Sequence, residues 1–373
     1  MKKIGITGQE GFLGSHIANN LKLLPEEYQL VYYDISFFKN KDLLDQFVSS
    51  CDVIYHLAAM NRHDDQQVIF DTNIALVESL IASLERTNSA PHVLFSSSSQ
   101  ELQDNLYGKS KLIGRELLEK WAKENKASFT GFVIPNVYGP FGKPFYNSFV
   151  ATFCHLLTHN DSPKVLNDSE VSLIYVQNLV VAMLEPIKNI EIGINRIAVP
   201  EDGTYKVSEV LVLLNRFKKD YFDQGIMSSL KDGFELNMFN TFRSYIDHKN
   251  HFPVLYAQHT DDRGAFVEII RLEQQGQVSF STTVPEVTRG NHYHTRKIER
   301  FSVIKGKALI ELRKIGTDEV LSFHLDGKQP SYVDMPIWYT HNIKNIGGEE
   351  LYTMFWINEF YDPKDADTHF ETV

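Results

Sequence analysis

The pattern of apolar and polar residues changes in character along the chain. In the first half, short apolar runs are separated by stretches whose apolar residues recur at helical spacing; the runs lie at residues 3–6, 30–33, 53–57 and 93–95. Such alternation of strand and helix predicts a parallel sheet covered by helices on both faces. We therefore expect a Rossmann-type, doubly wound α/β fold in this part of the chain.

From about residue 246 onward, strand patterns replace the helical ones. Strand-like runs follow one another with few intervening helices, at residues 254–256, 266–270, 278–281, 301–304, 307–312 and 351–357. Many short strands of this kind are typical of an all-β sandwich or jelly roll. The sequence thus predicts two domains, an α/β domain over residues 1–246 and an all-β domain over residues 252–373.

The length of the chain agrees with two domains, and its net charge limits the classes of partner that it can bind. A chain of 373 residues exceeds what one core normally holds. Its net charge of −11 would repel phosphates, so no nucleic-acid partner is expected. The first residues lack the apolar core of a signal peptide, and no apolar stretch approaches the length of a bilayer, which predicts a cytoplasmic protein without a membrane partner. Cys51 and Cys154 are expected to be buried thiols.

Three glycines stand where the first predicted strand meets the first predicted helix. Gly8, Gly11 and Gly14 occur there, with Phe12 and Leu13 between the last two. Glycines at this position allow a tight turn and let backbone N–H groups approach a pyrophosphate. Placement at the end of the first strand of a βαβ unit makes this a predicted dinucleotide-binding turn.

Two residues bear on which dinucleotide binds. Asp34 ends the second apolar run, where a carboxylate would accept hydrogen bonds from the adenosine ribose hydroxyls and favour NAD over NADP. Lys39 stands nearby and could instead serve a 2′-phosphate. The cofactor is therefore expected to be NAD(H) or NADP(H).

Tyr107 and Lys111 form the predicted chemical centre of the first domain. Their spacing sets both side chains one turn apart on the same face of a helix. A tyrosine with a pKa near 10 is a poor acid or base at neutral pH, and a neighbouring ammonium is expected to lower that pKa. Serines at positions 96–99, after the fourth apolar run, could hydrogen-bond the reacting oxygen.

Together these motifs resemble the extended short-chain dehydrogenase/reductase superfamily of nucleotide-sugar epimerases, dehydratases and reductases. The likeness also includes residues 56–59 (His-Leu-Ala-Ala) and 135–140 (Pro-Asn-Val-Tyr-Gly-Pro). It implies that Leu57 and Ala58 lie beside the cofactor. It further implies that Ser98, Tyr107 and Lys111 are catalytic, Asn73 is a structural or relay residue, and Asn136 contacts substrate. Positions 97 and 99 remain alternatives to Ser98.

One departure from the superfamily narrows the reaction. Its 4,6-dehydratases carry an Asp-Glu pair directly after the catalytic Ser or Thr. Here the corresponding residues are Ser99, Gln100 and Glu101. Dehydration is therefore disfavoured, which leaves ketone reduction or 4-epimerisation.

Three histidines and one glutamate in the second domain predict a metal site. His292 and His294 point to the same face of a strand, while Glu299 and His341 can arrive from other strands. This donor set suits Zn²⁺ or another divalent metal with positions left open for substrate. Together with Gly290, Gly306 and Pro336, the set resembles the two metal motifs of the cupin superfamily.

A second resemblance competes for His292. Residues 262–268 and 289–293 look like the 4-keto-sugar 3,5-epimerases, in which the matching histidine is the base and the arginine matching Arg263 holds the nucleotide diphosphate. A ligated imidazole cannot also abstract a proton. We favour metal ligation, since all four donors are present; the metal would then polarise a C4 ketone and acidify the C3 hydrogen.

Over nearly its full length the chain resembles the bifunctional capsular-polysaccharide and O-antigen enzymes of UDP-N-acetyl-L-fucosamine synthesis. The resemblance implies a cupin that epimerises C3 of a UDP-2-acetamido-2,6-dideoxy-4-hexulose. The first domain would then reduce C4 to give a UDP-2-acetamido-2,6-dideoxy-L-talose, with NADPH and zinc as cofactors. The partner would be a UDP-sugar, and the exposed edges of cupin strands favour a homodimer. The alternatives are an NAD-dependent nucleotide-sugar 4-epimerase with a sugar-binding cupin, or a cupin that serves oligomerisation.

Overall fold

The fold is an α/β domain followed by two antiparallel sheets, so the predicted fold class is confirmed. The computed structural model describes residues 1–190, 192–261, 264–267, 269–270, 276–359 and 362–373. Up to residue 206 its elements are β1 (Lys2–Thr7), α1 (Phe12–Lys22), β2 (Tyr28–Val31), α2 (Lys41–Ser49), β3 (Val53–His56), α3 (Gln66–Thr87), β4 (His92–Ser98), α4 (Leu106–Asn125), β5 (Phe129–Ile134), β6 (Asn136–Tyr138), α5 (Phe149–Thr158), β7 (Glu170–Tyr175), α6 (Val176–Lys188), β8 (Ile194–Ala198) and β9 (Gly203–Lys206).

The rest of the chain begins with helices and continues with strands. In order these are α7 (Val207–Phe217), a π-helical segment Lys218–Asp223, α8 (Gly233–Arg243), α9 (His248–His251), β10 (Val254–Leu255), β11 (Gln258–Asp261), β12 (Gly264–Val267), β13 (Gln277–Thr283), β14 (Thr288–Tyr293), β15 (Glu299–Lys305), β16 (Lys307–Lys314), β17 (Val320–Asp326), β18 (Ser331–Met335), β19 (Tyr339–Asn345), β20 (Leu351–Ile357) and β21 (His369–Phe370).

A parallel sheet with the order β2-β1-β3-β4-β5-β8 organises the first part of the chain. Its strands are buried on both faces, with Ile4 and Leu94 in one apolar cluster and Ile54 and Val93 in the other. This double burial explains why the strands read as continuous apolar runs. The strand order reverses between β1 and β3, and ligands of doubly wound sheets bind at the carboxyl ends of the strands at such a reversal.

Two five-stranded antiparallel sheets make up the second part, in the orders β10-β18-β15-β20-β13 and β17-β16-β19-β14-β21. Their apolar core includes Val303, Ile310 and Val333, each fully buried. Along β15 the side chains alternate, so that Glu299 and Phe301 face one side of the sheet and Arg300 and Ser302 face the other.

By their internal contacts the residues group into two units, residues 1–152 with 166–207, and residues 153–165 with 208–373. This division differs from the sequence boundary between residues 246 and 252, because α7 and α8 group with the two antiparallel sheets. A buried polar cluster accounts for the difference. Asp334 pairs with Arg300 at 2.8 Å and accepts a hydrogen bond from Tyr221 at 2.5 Å, while Arg243 donates to Met335 O.

Helix α3 bears on the expectation that the chain has no apolar stretch long enough to span a membrane. By length and composition it is apolar enough to cross a bilayer, contrary to the prediction that no stretch approaches that length. Its buried residues Val77, Leu80 and Leu84 belong to the core cluster on one face of the parallel sheet. Core helices of α/β domains pass the same test, because they too must bury an apolar face. Both cysteines are buried and free, as predicted.

Candidate functional site

The glycine turn after β1 has the geometry of a phosphate-binding loop. Gly8 has a positive φ of 78°, and the Gly11 amide donates to Gly8 O at 3.0 Å. A Cβ on Gly14 would lie only 2.2 Å from Gly8 O, so a side chain cannot be accommodated there. Gly11 is the N-cap of α1 and makes no side-chain cap, which leaves amides at the helix start available to an anion.

The carboxyl end of β3 lies against this turn. The Leu57 amide donates to Thr7 O at 3.2 Å, and the Ala58 amide donates to Thr7 Oγ1 at 3.3 Å. A Cβ on Gly8 would approach Ala58 N to 3.0 Å. The structure therefore brings Gly8, Leu57 and Ala58 together at the reversal of strand order.

Asp34 lies shortly after the end of β2 and is the N-cap of a short 3₁₀ helix, Ile35–Lys39. Its carboxylate accepts a hydrogen bond from Ser36 N at 2.8 Å, and hydrogen bonding to Ser36 lowers the pKa of Asp34. The group is thus negatively charged at neutral pH. Lys39 ends the same short helix and is exposed.

Helix α4 carries Tyr107 and Lys111, one turn apart as predicted. Asn105 caps the helix by accepting from Gly108 N at 2.7 Å, which fixes where Tyr107 enters the first turn. Lys111 is buried; its Nζ donates to Ser96 O at 2.9 Å and lies 5.8 Å from the centre of the Tyr107 ring. Because the ammonium is desolvated, the pKa of Lys111 is lowered to about 8.

The pKa of Tyr107 is raised, whereas the sequence predicts that it is lowered. Burial raises it to about 12, although a hydrogen bond with the Ser98 side chain acts in the opposite direction. This result differs from the expected lowering by Lys111, because desolvation of the phenolate is the largest influence on its pKa. The phenol is therefore protonated at neutral pH, which is the state that a proton donor requires.

The serines at the end of β4 have different environments. Ser97 is buried and donates to Glu101, whereas Ser98 hydrogen-bonds Tyr107 and accepts from Gln100 N at 3.2 Å. Ser99 is exposed at the start of a 3₁₀ helix. Of the three registers considered, position 98 is the one with a direct link to Tyr107.

Glu101 is buried in an ion pair and does not face the reactive phenol as a free acid. It pairs with Arg115 at 2.8 Å and with Arg196 at 3.3 Å. Burial alone would raise the pKa of Glu101, but the hydrogen bonds from Arg115 and Ser97 hold it below its usual value. This environment agrees with the absence of a dehydratase acid pair. The sequence pattern gave no signal of the Arg115 contact, which spans 14 residues.

The remaining predicted site residues are Asn73, Asn136 and Arg263. Asn73 exchanges hydrogen bonds with the backbone of Met60, at 2.7 and 3.1 Å, and donates to Ser110 at 3.1 Å, so it ties the loop after β3 to α4. Asn136 is exposed and donates to Ser172 O at 3.4 Å. Arg263, the predicted diphosphate ligand, lies outside the described residues.

In the second unit the four predicted metal ligands converge. One donor atom from each of His292, His294, Glu299 and His341 lies within 4.8 Å of the others. Nε2 of His294 and of His341 are 3.0 and 3.3 Å from Glu299 Oε2. When the proton of each ring is on Nδ1, all three of these buried atoms present lone pairs, and none has a hydrogen-bond partner among the described residues. Such convergence of unpartnered lone pairs is costly unless a cation satisfies it, so the donor set fits a divalent metal.

A β-bulge and backbone hydrogen bonds orient these rings. The register between β14 and β19 shifts between Gly290 and His292, where Gly290 has a φ of 98°, and this shift pairs His292 with His341. Nδ1 of His294 bonds Asp367 O, and Nδ1 of His341 bonds Tyr339 O at 3.2 Å. A carbonyl only accepts, so Nδ1 carries the proton and Nε2 is left as a lone-pair donor.

The protonation of His292 suits a ligand. Burial, together with neighbouring His341 and His294, lowers the pKa of His292 to about 4. Its ring is neutral at pH 7, as ligation requires. Sequence reasoning missed Asp367, which supplies the carbonyl for His294 across 73 residues. No local pattern reports such a contact.

Comparison with known proteins agrees with both halves of this description. Residues 4–197 match the NAD dependent epimerase/dehydratase family, and residues 259–369 match the polysaccharide biosynthesis C-terminal domain. The sequence is 30% identical over 371 residues, 98% of each chain, to a UDP-2-acetamido-2,6-beta-L-arabino-hexul-4-ose reductase of Pseudomonas aeruginosa. Over 120 residues, 30% of this chain and 80% of the relative, it is 27% identical to spore coat polysaccharide biosynthesis protein SpsL of Bacillus subtilis.

Solved structures extend the likeness to the whole fold. The crystal structure of capsular polysaccharide assembling protein CapF from Staphylococcus aureus matches with 32% identity and a TM-score of 0.62, and all of both chains is covered. The fold alone is shared with RMD from Pseudomonas aeruginosa complexed with NADPH, at 19% identity, a TM-score of 0.53, 59% of this chain and 84% of that one. The predicted family resemblance is confirmed: the chain belongs to the NAD dependent epimerase/dehydratase family and, over nearly its whole length, to the family of the UDP-2-acetamido-2,6-beta-L-arabino-hexul-4-ose reductases.

Proposed function

We propose that the protein is a bifunctional nucleotide-sugar enzyme. Its second unit epimerises C3 of a UDP-2-acetamido-2,6-dideoxy-4-hexulose, and its first unit reduces the C4 ketone to a UDP-2-acetamido-2,6-dideoxy-L-talose. The observation that carries the proposal is that one chain holds both a Ser98–Tyr107–Lys111 group and a converging cluster of three histidines and a glutamate. A relative of nearly the same length, named as a hexul-4-ose reductase, supports the substrate class.

In the reduction, a hydride from a reduced nicotinamide would add to C4 while Tyr107 gives its proton to the C4 oxygen. The raised pKa of Tyr107 suits a donor that must be protonated beforehand. Lys111 would stabilise the phenolate that the transfer leaves behind, and Ser98 would hydrogen-bond the reacting oxygen. The negatively charged Asp34 supports NADH, but exposed Lys39 leaves NADPH as the other candidate, so both are to be tested.

In the epimerisation, a base would remove the C3 proton, which is acidic only while C4 is a ketone, and a proton would return on the opposite face. Zn²⁺ or another divalent cation held by His292, His294, Glu299 and His341 would supply Lewis acidity toward the ketone oxygen. The hydrogen bonds of the histidines to backbone carbonyls support ligation, because they hold the rings in the tautomer that offers Nε2. In this proposal His292 is a ligand and the base is a different residue.

The test separates the two reactions in one tube. The 4-keto sugar is incubated in heavy water with NADH or NADPH, while nicotinamide absorbance is followed and deuterium at C3 is measured. Wild-type protein should consume the nicotinamide and incorporate deuterium. Tyr107→Phe should lose nicotinamide consumption by about 10²- to 10⁴-fold and keep the exchange.

Two outcomes would overturn parts of the proposal. Absence of C3 exchange in the wild type would exclude the epimerase, and would favour a cupin that only binds sugar or serves oligomerisation. Interconversion of sugars with no net nicotinamide consumption would instead support a 4-epimerase. The expected homodimer and the cytoplasmic location stay predictions, which light scattering and cell fractionation would check.

A further inference from the structure

The segment after residue 362 includes a strand that pairs with β14, which carries His292 and leads directly to His294. Strand β21 pairs with β14, with Phe370 opposite His292 and His369 opposite Tyr293. The Glu371 amide donates to Asn291 O at 3.0 Å. Strand β14 is therefore held on one side by β19, which carries His341, and on the other by this segment.

Asp367 fastens the turn that follows His294. Its carboxylate accepts hydrogen bonds from three successive backbone amides, at 3.0 Å from Thr295, 2.9 Å from Arg296 and 3.0 Å from Lys297. The Thr295 hydroxyl adds a fourth at 2.7 Å. The carboxylate side chain is only 1% exposed, so these bonds are shielded from water. Because this turn joins His294 to Glu299, the carboxylate sets the separation of two ligands.

The backbone of the same residue acts directly on a ligand. Asp367 O accepts from Nδ1 of His294, which leaves Nε2 to face Glu299. Asp367 has a φ of 40°, a conformation that aspartate and asparagine tolerate better than most residues. One residue thus fixes both the tautomer of His294 and the turn that leads to Glu299.

We infer that Asp367 is a positioning residue of the metal centre, acting through His294 and the turn of residues 295–297. The inference rests on the metal site of the proposed function. It names a requirement outside the four donors: the centre is complete only when the segment around Asp367 is docked on β14. Outer partners of metal ligands typically contribute about 10- to 100-fold in metal affinity.

The experiment measures zinc affinity of the full-length protein by competition with a chromophoric chelator. Asp367→Asn keeps the size and the backbone preference but places an amide group against backbone donors, so zinc should bind about 10- to 100-fold more weakly. Asp365→Asn is the matched control: its carboxylate is exposed and bonds the Arg296 side chain, so its affinity should equal that of the wild type. Far-UV circular dichroism reports whether each variant is folded.

The outcomes separate this inference from the metal site itself. Wild-type protein that binds no zinc or other divalent metal would overturn both. Wild-type protein that binds zinc, with Asp367→Asn binding equally well, would overturn the positioning role alone. If Asp367→Asn does not fold, Thr295→Val, which removes one donor to the carboxylate, carries the test: it should weaken zinc binding in the same direction, and unchanged affinity would refute the role.

Discussion

The lowered pKa of Lys111 is expected to make the rate of the reduction depend on pH around pH 8. The side chain is buried beside the ring of Tyr107, and desolvation lowers its pKa to about 8. A pKa lowered in this way means that the ammonium is present below pH 8 and is lost as pH rises through it. About nine tenths of the groups are charged at pH 7 and about one tenth at pH 9. We therefore expect the reduction rate to fall above pH 8.

The size of that fall follows from Coulomb's law. The ammonium nitrogen lies 5.8 Å from the centre of the Tyr107 ring. If the negative charge of the phenolate is placed at the ring centre and the effective dielectric constant is about 20, a unit charge at that distance stabilises the phenolate by about 3 kcal/mol. A loss of about 3 kcal/mol corresponds to a rate about 100-fold lower. The rate should thus fall about tenfold per pH unit above 8 and level off about 100-fold below its value at pH 7.

The assay follows nicotinamide absorbance between pH 6 and 10, with C3 deuterium exchange measured in parallel. Lys111→Met should show the low rate at every pH, because it lacks the charge. Lys111→Arg, if its larger group is accommodated, should lose the transition at pH 8, since a guanidinium stays protonated. A wild-type rate that stays level to pH 10, or a Lys111→Met rate equal to the wild type at pH 7, would refute the reasoning.

Two further predictions concern cofactor binding and stability. Gly14→Ala should weaken nicotinamide binding by at least about tenfold in a fluorescence titration, because its Cβ would lie 2.2 Å from a backbone oxygen in the phosphate loop. Gly193→Ala, which meets nothing within 4 Å, should leave it unchanged. Asp334→Ala should lower the free energy of unfolding of the second unit by about 3 to 5 kcal/mol, because Arg300 loses its buried partner. Exposed Asp318→Ala is its control, and equal urea midpoints for the two variants would contradict this account.

Features that depend on local spacing were predictable from the sequence. The turn at Gly8 and the shared faces of Tyr107 with Lys111 and of His292 with His294 follow from the periods of strand and helix, which report which way a side chain points. These same periods separated the parallel sheet from the antiparallel ones. They hold no information on which distant polar groups meet.

The features that sequence reasoning missed depend on distant contacts or on burial. Asp367 meets the turn after His294 across some 70 residues, and the bulge at Gly290 comes from pairing with another strand. The raised pKa of Tyr107 reflects the burial of its side chain, which is set by the packing of several elements. Helices α7 and α8 read as a continuation of the α/β domain, because helical period alone does not reveal which core a helix covers.

The buried cluster around Asp334 limits how such a chain could be recombined with others. A breakpoint near residue 252 would coincide with the change from helical to strand patterns in the sequence. It would nevertheless remove Tyr221 and Arg243 from the cluster. It would also leave Arg300 without the carbonyl of Gly225, to which Arg300 donates a hydrogen bond at 3.0 Å. A chimera joined near residue 207 would keep the cluster whole. Residues 153–165 also group with the second unit, so an exchange of catalytic units between relatives is expected to succeed only when residues 153–165 are transferred together with residues 208–373.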